Sequence, residues 1–160
     1  MLALKKVFFF PLIIVGLFFA SCDDRVTFEQ QQKIDKDIID QYVADNNLDG
    51  FYTENNIFIS FEKEGTGTDT PGQLSTIEII YTGYLLDGTE FDSSAGFPRE
   101  FQVWRLIQGW QEGMQEFKAG AKGTMIIPSR FAYRTAGTPD GSVPPDAVIA
   151  FDIELLSFRD

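Results

Sequence analysis

The side chains of this sequence that could do chemistry cluster in one stretch, YTGYLLDGTEFDSS, from Tyr81 to Ser94. Its Asp-Gly pair predicts a tight turn between two short strands, so we expect Tyr81, Phe91 and Asp92 to lie close together. The chain has no histidine and one cysteine, and it therefore lacks the side chain that most often acts as a base near neutral pH. Chemistry at such a site must proceed without that base and without a standard nucleophile.

The charge balance argues against nucleic acid as a partner. The chain has 13 basic and 24 acidic residues, and residues 1–21 hold two of the basic ones and none of the acidic ones, which leaves 11 − 24 = −13. A nucleic acid backbone requires a basic surface, and so does docking on anionic lipid. We interpret the acidic excess as a means of solubility, with an acidic client-binding face as the alternative.

No metal site or cofactor is expected. Histidine is absent, the cysteine is single, and zinc sites need several such ligands at defined spacing. The acidic residues are dispersed along the chain and do not form a calcium-binding loop.

Residues 1–21 have the pattern of a secretory signal peptide. Lys5 and Lys6 precede the apolar run VFFFPLIIVGLFFA, which small residues follow. This run is shorter than the roughly 20 residues that a transmembrane helix needs. An N-terminal anchor helix is the alternative interpretation.

The four residues Phe19-Ala20-Ser21-Cys22, which span the end of this region, resemble a bacterial lipobox, with Phe19 where leucine is usual. We therefore expect Cys22 to be lipidated and to become the new N-terminus, which would explain a lone cysteine better than a free thiol does. More than one acyl chain would hold the protein stably at a membrane. This predicts a lipoprotein of the bacterial cell envelope, and we favour the outer membrane, facing the periplasm.

Residues 22–50 are predicted to form a lipidated tether and an amphipathic helix. Thr27 and Gln30 fit a capping box, and the pattern ends by Asp49-Gly50. Apolar residues recur at helical spacing: Ile34, Ile38, Ile39, Tyr42 and Val43. The other faces carry polar residues: Asp35, Lys36, Asp37, Asp40 and Gln41. The apolar stripe must be covered by the chain's own domain, by a second copy, which would make a homodimer, or by a different partner.

From residue 51 onward the signals are mostly those of strands. Alternating patterns predict strands over 56–64, 76–86, 101–104, 123–128 and 148–158, with a hairpin turn at Asp87-Gly88. A change of rhythm over 107–117 predicts a short helix whose Trp110, Met114 and Phe117 share one side. The sequence is therefore α+β, an antiparallel sheet with one short helix packed on its concave side.

Four motifs in this part of the chain resemble the FKBP-type peptidyl-prolyl isomerases. They are Tyr81-Thr82-Gly83 with Leu86-Asp87-Gly88, Phe91-Asp92-Ser93-Ser94, the helix motif Gln108–Gly113, and Val143-Pro144-Pro145 leading to Phe151–Leu156. The resemblance covers about residues 57–158. It implies an isomerase domain over 51–160 with a curved, five-stranded antiparallel half-barrel wrapped around a short helix.

The resemblance also implies a pocket between that helix and the sheet. Six residues match the catalytic positions: Tyr81, Asp92, Ile107, Trp110, Tyr133 and Phe151. Four match the substrate-binding walls: Phe91, Phe101, Leu106 and Val143. The Ile107 N–H would meet a ligand carbonyl, the Tyr133 hydroxyl would face the substrate, and Asp92 would be a hydrogen-bonding element rather than a base.

The same residues have simpler interpretations. Trp110, Phe101, Phe151 and Tyr81 suit an ordinary core, Asp92 could cap a turn, and Leu106 and Ile107 could be the apolar entry to a helix. The sequence also departs from the family pattern in three places: a shorter segment between Phe101 and Leu106, Arg134 where glycine is common, and the length of the loop 134–142.

The activity implied is cis–trans isomerisation of X–Pro bonds, which breaks no covalent bond and moves no proton. The implied partners are proline-containing polypeptide clients and FK506-like macrolides. The alternative function is a chaperone or assembly factor that holds such clients with little catalysis. The two functions differ in turnover, which the residues alone do not decide.

Overall fold

The computed structural model describes residues 26–160, so the predicted signal peptide and the lipidation site Cys22 lie outside the described residues. The first helix, α1, is Phe28–Asp45, and the second, α2, is Gln108–Gly113. The strands are β1 Phe51–Tyr52, β2 Phe58–Lys63, β3 Thr76–Leu85, β4 Glu90–Ser93, β5 Arg99–Gln102, β6 Lys122–Ile127 and β7 Ile149–Arg159. Short 3-10 turns cover Val103–Arg105, Met114–Glu116, Ser129–Phe131 and Arg134–Ala136.

The strands form one antiparallel sheet in the order β1-β2-β6-β7-β3-β4. Strand β5 also pairs with β3: it opposes Thr76–Ile79, while β4 opposes Thr82–Tyr84. The two therefore share one strand position, and β1 adds only a two-residue pair at the far edge. The remaining five positions confirm the predicted five-stranded half-barrel. The last strand in the chain, β7, lies in the middle and pairs with both β3 and β6.

The hairpin between β3 and β4 forms where the Asp-Gly pair predicts it. Gly88 has φ +88°, which a residue with a Cβ rarely adopts, and its N–H donates to the Leu85 carbonyl at 2.8 Å. The Thr89 N–H donates to the Asp87 carboxylate at 2.8 Å. This closure places Phe91 and Asp92 beside the second half of β3.

The front face of the sheet, defined as the face that contacts α2, carries the main core. Its fully buried side chains include Ile77 and Ile79 of β3, Met125 and Ile127 of β6, and Ile149, Ile153 and Leu155 of β7. Two glycines of α2 allow the helix to lie close to β6. A Cβ at Gly109 would lie 2.4 Å from the Ile127 side chain, and one at Gly113 would lie 2.5 Å from Met125.

The back face of the sheet is covered by α1. Ile39 is fully buried there with Phe58, Ile126, Val148 and Ala150, and Tyr42 and Val43 pack against the same cluster. The helix begins with the predicted capping box, in which Thr27 and Gln30 exchange hydrogen bonds. Of the three alternatives for covering the apolar stripe, the chain's own domain is confirmed for this part of α1.

The buried face of α1 is displaced by about one residue from the predicted one. Asp35, expected on a polar face, is 1% exposed, whereas Ile34 and Ile38, expected in the buried stripe, are 42% and 41% exposed. Asp35 lies one helical turn before Ile39 and therefore shares its face. Burial of Asp35 on this face is tolerated because Ser129, in the turn after β6, donates two hydrogen bonds to its carboxyl group.

Two further boundaries differ from the sequence prediction. The strand expected over 101–104 is Arg99–Gln102, and the chain then tightens into a 3-10 turn. The helix expected over 107–117 ends as α-helix at Gly113 and continues as a 3-10 turn. Trp110, Met114 and Phe117 are nevertheless all buried, as predicted. In the part of the chain that is described, no helix is both long and apolar enough to cross a membrane.

Candidate active site

Four aromatic rings meet between α2 and the front face. The ring of Tyr81 lies 5.7 Å from that of Trp110, 5.9 Å from Phe101 and 6.3 Å from Phe151, and Trp110 lies 5.0 Å from Phe151. The interplanar angle is 84° for Tyr81 with Trp110 and 82° for Trp110 with Phe151. Such edge-to-face pairs are the preferred arrangement of aromatic side chains. The result is a rigid apolar floor.

A second limb of the cluster runs through Phe91. Its ring lies 5.5 Å from that of Phe151 and 6.2 Å from that of Tyr133, with interplanar angles of 84° and 89°. Phe91 thus connects the floor to the loop that follows β6. The Tyr133 hydroxyl has no hydrogen-bond partner within residues 26–160, and it can donate to a ligand.

Gly83 permits this arrangement. A Cβ at Gly83 would lie 2.5 Å from the Phe151 ring and 2.9 Å from the Phe91 ring. Real Cβ atoms do not approach other atoms so closely, because protein interiors are close-packed. The glycine of the Tyr-Thr-Gly motif is therefore explained by the space that two aromatic rings occupy.

Tyr81 and Asp92 form the polar edge of the site. The Tyr81 hydroxyl donates to the Asp92 carboxylate at 2.9 Å. Burial, and then this bond and the carboxylate charge, raises the pKa of Tyr81 to about 12. Ser94, fully buried, fixes the backbone beneath the pair: its Oγ accepts from the Tyr81 N–H at 3.1 Å and its N–H donates to the Tyr81 carbonyl at 2.9 Å.

Ile107 lies at the entry to α2. Its carbonyl accepts from the N–H groups of Trp110 and Gln111 at 3.0 and 3.1 Å. Its own N–H has no acceptor among the described residues, so it can donate to a bound carbonyl. Gln111 fixes the preceding segment, because its side-chain amide donates to the Leu106 carbonyl at 2.8 Å. Leu106 and Ile107 both pack against the front core.

The loop after β6 carries Tyr133 and ends at Val143. Burial, with the negative charges of Asp92 and Asp140, raises the pKa of Tyr133. Val143 is 1% exposed, and its N–H donates to the Thr138 hydroxyl at 2.8 Å. Val143 therefore supports the loop from inside.

Arg134 occupies a left-handed conformation with φ +57°. Such a conformation favours glycine, the residue that the family pattern implies at this position. The Arg134 side chain donates to the Arg130 carbonyl at 3.0 Å and to the Gln108 side chain at 2.8 Å. These bonds hold the strained backbone and direct the guanidinium away from the aromatic floor, toward the start of α2.

The structure thus brings the ten predicted pocket positions around one site, with Val143 behind the loop rather than at the surface. Sequence reasoning missed the supporting residues: Gly83, Ser94, Gly109, Gln111 and Gly113. The glycines stood in the quoted motifs, so their presence was a usable signal. Two surface grooves, of about 500 and about 420 Å³, lie elsewhere, one along α1 and one on the polar side of α2.

A family profile described as FKBP-type peptidyl-prolyl cis-trans isomerase matches residues 67–156. This is more than half of the chain. The chain belongs to the FKBP-type peptidyl-prolyl cis-trans isomerase family. The matched residues of this FKBP-type domain run from the loop before β3 into β7, and they include every candidate pocket position described above.

Relatives of this FKBP-type domain are found in bacteria and eukaryotes. It is 37% identical to FkpA of Aeromonas hydrophila over 86% of this chain and 54% of that protein, so it spans about half the relative's length. It is 40% identical to FK506-binding protein 1A of Emericella nidulans over 59% of this chain and 91% of that protein.

Two solved structures extend the likeness to the fold. A Pseudomonas syringae peptidyl-prolyl cis-trans isomerase matches 85% of this chain and 98% of its own, with a TM-score of 0.70 and 28% identity. FkpA from Escherichia coli matches 82% of this chain and 62% of its own, with a TM-score of 0.68 and 30% identity. Both matches extend beyond residues 67–156 and so include structure outside the family profile.

Proposed function

We propose that this protein is a peptidyl-prolyl cis–trans isomerase that accelerates X–Pro rotation in proteins of the cell envelope. One observation carries the proposal: an apolar floor of edge-to-face rings lies beside the Ile107 N–H and the Tyr133 hydroxyl, two donors without protein acceptors in residues 26–160. Family membership supports it. The arrangement suits a neutral, proline-containing ligand.

The reaction needs no nucleophile because the barrier to rotation comes from amide resonance. That barrier is about 18–20 kcal/mol for a peptide bond, and uncatalysed X–Pro isomerisation takes roughly tens to hundreds of seconds. A dry pocket disfavours the polar, planar imide relative to the twisted, less polar one. Catalysis follows if the twisted state binds more tightly than the planar one, and lowering the barrier by about 5 kcal/mol gives a several-thousandfold acceleration.

The residues divide these tasks. Trp110, Phe151 and Phe101 exclude water and hold the proline ring. The Ile107 N–H and the Tyr133 hydroxyl hold the carbonyls that flank the rotating bond, so that the twist is localised at that bond. Asp92 acts through Tyr81: it fixes the hydroxyl at 2.9 Å and thereby the tilt of the ring against Trp110.

The test is isomerisation of a proline-containing peptide by protein that begins at Asp23, with and without FK506. We expect fast turnover that the macrolide inhibits. Trp110→Leu should lower kcat/KM by about tenfold or more, while the same change at Trp104, a half-exposed residue outside the ring cluster, should leave it within about twofold. Macrolide binding without turnover would instead support a client-holding chaperone.

We also propose that the protein is a lipoprotein of the cell envelope anchored through Cys22. The lipobox-like sequence supports this, and one relative, 41% identical over 99 residues, is the outer membrane protein MIP of Legionella longbeachae. Radiolabelled palmitate should label the wild-type chain but not Cys22→Ser. Fractionation of the labelled protein should place it in the outer membrane; recovery in the inner membrane would contradict that location.

We propose a homodimer whose interface is the exposed edge of α1. Ile34 and Ile38, with Tyr42 and Leu86, line the groove of about 500 Å³. Light scattering should give twice the monomer mass for the wild type and the monomer mass for Ile38→Asp. This variant is preferable to deleting α1, because deletion would uncover the apolar back face. A monomeric wild type would contradict the proposal.

A further inference from the structure

Asp35 of α1 is a buried carboxylate that the proposed reaction does not use. It is 1% exposed, and three donors surround it. Its Oδ1 accepts from the Gln31 side-chain amide at 2.8 Å, and its Oδ2 accepts from the Ser129 N–H at 2.9 Å and the Ser129 hydroxyl at 2.7 Å. Within residues 26–160 it forms no salt bridge. A buried charge is costly unless it is fully hydrogen-bonded.

Ser129 is the first residue of the turn that leads to Tyr133. Its carbonyl accepts from the Ala132 N–H at 3.1 Å, so the Asp35 contact fixes the start of this turn, four residues before Tyr133. The next residue is held by the same helix, because the Arg130 guanidinium lies 4.2 Å from the centre of the Phe28 ring. The Arg130 carbonyl in turn accepts a hydrogen bond from the Arg134 side chain at 3.0 Å.

We propose that α1 positions the Tyr133 loop for catalysis, with Asp35 as the positioning residue that acts through Ser129. Apolar contacts of Ile39 already bind the helix to the back face, so adhesion does not require a carboxylate. Two hydrogen bonds from Ser129 to Asp35 have defined directions and therefore fix where the helix and the loop meet, which apolar contacts do not. The helix outside the matched family segment thereby joins the active site. This inference rests on the proposed function.

The test compares Asp35→Ala with Ile39→Ala in the full chain purified in detergent. Ile39 lies one turn further along the same face, and the apolar cluster in which it packs contains no residue of 129–136. Amide hydrogen exchange over residues 129–136, measured under conditions of equal global stability, should accelerate by roughly tenfold or more in Asp35→Ala only. Asp35→Asn, which keeps one acceptor oxygen, should show a smaller acceleration. Equal acceleration in Asp35→Ala and Ile39→Ala would overturn the proposal.

A double-mutant cycle measures the coupling between Asp35 and Tyr133, which a purely structural role of Asp35 would not produce. Asp35→Ala should lower kcat/KM by about tenfold in the wild type but by less than about twofold in the Tyr133→Phe background, because the two residues act through one element. If the two substitutions lower kcat/KM independently, so that the two fold-losses multiply in the double variant, the proposal is wrong. If the wild type shows no turnover, the proposed function fails, and the exchange comparison still decides whether α1 orders the loop.

Discussion

The front and back faces of the sheet bury side chains of different kinds. The front face holds Trp110, Phe151 and Tyr81 in perpendicular ring contacts, and two donors beside them have no protein acceptor in the described chain. The back face buries mainly aliphatic groups around Ile39, and the buried Asp35 carboxyl group on that side accepts three hydrogen bonds. Both faces are well packed, and the front face places two hydrogen-bond donors beside its apolar floor.

The difference shows how one sheet can carry both a scaffold and a site. Rings meet edge to face at 5.0–6.2 Å on the front, where Gly83 of β3 makes room for the Phe151 and Phe91 rings. The back face relies on the apolar packing of α1 around Ile39. Function should therefore respond to changes on the front beyond their effect on stability, whereas changes in the apolar contacts of the back should alter stability with little separate effect on turnover. Asp35 is the exception, because it contacts Ser129 of the turn that leads to Tyr133.

The largest effect is expected for Gly83→Val. The added side chain would collide with the Phe151 and Phe91 rings, whose atoms lie 2.5 and 2.9 Å from the Cβ position. We expect kcat/KM to fall by roughly a hundredfold and the free energy of unfolding to fall by about 1–3 kcal/mol, as for overpacked cores. Peptide isomerisation and urea titration measure the two. Gly72→Ala, where the nearest atom is 3.8 Å away, is the control and should behave as the wild type.

A matched pair of phenylalanines tests the two faces directly. Phe151 on the front and Phe58 on the back are 3% and 2% exposed. Replacing either by leucine should lower the free energy of unfolding by about 1 kcal/mol. Only Phe151→Leu should lower kcat/KM, by about tenfold. A similar loss in Phe58→Leu would contradict the separation between apolar packing on the back and activity on the front.

Asp92→Asn should have a moderate effect. It removes the charge that holds the Tyr81 hydroxyl but keeps an acceptor, so we expect kcat/KM to fall by about threefold to tenfold. The pKa of Tyr81, about 12, should move down toward its ordinary value of about 10, since a nearby negative charge disfavours the phenolate. Ultraviolet titration of tyrosinate, compared between the variant and the wild type, measures this shift. An unchanged titration would show that the charge of Asp92 does not contribute to the raised pKa of Tyr81.

The same pKa makes Tyr81 one of the tyrosines that lower stability at alkaline pH, with Tyr52, Tyr84 and Tyr133, whose pKa values are also raised. A folded-state pKa raised above the unfolded value means that Tyr81 contributes its full stabilisation below pH about 10 and loses it as pH rises toward about 12. Thermal unfolding across this range measures the loss, which should be smaller in Asp92→Asn.

The smallest expected effect is that of pH near neutrality. No proton moves in the reaction and the chain has no histidine, so kcat/KM should be flat within about twofold from pH about 6 to about 9. A bell-shaped profile with a limb in this range would indicate acid–base chemistry, and the dry-pocket mechanism would then be wrong.

The sequence predicted what depends on local signals and distributed motifs. Gly88 closes the hairpin, Thr27 caps α1, and the alternation in β7 buries Ile149, Phe151 and Ile153, as expected. The FKBP-like motifs led to the ten pocket positions, although spacing alone would have left Phe101 and Phe151 as ordinary core residues.

Other features could not be predicted because their causes lie far away in the chain. The burial of Asp35 depends on Ser129, 94 residues later, and a periodicity of apolar residues does not count a carboxylate as buried. The exposure of Ile34 and Ile38 follows from the same rotation of α1. Arg134 is similar: its left-handed backbone depends on acceptors at Arg130 and Gln108.

The central position of β7 affects how the chain reaches this structure. Its partners β3 and β6 precede it, so a chain that emerges with its N-terminus first holds two unpaired strand edges until residues 149–159 arrive. Pairings between distant segments make folding slow, on the order of milliseconds to seconds for sheet-rich domains. During that interval the strand edges are open to other chains. A truncation within β7 should therefore lead to aggregation rather than to a shortened domain.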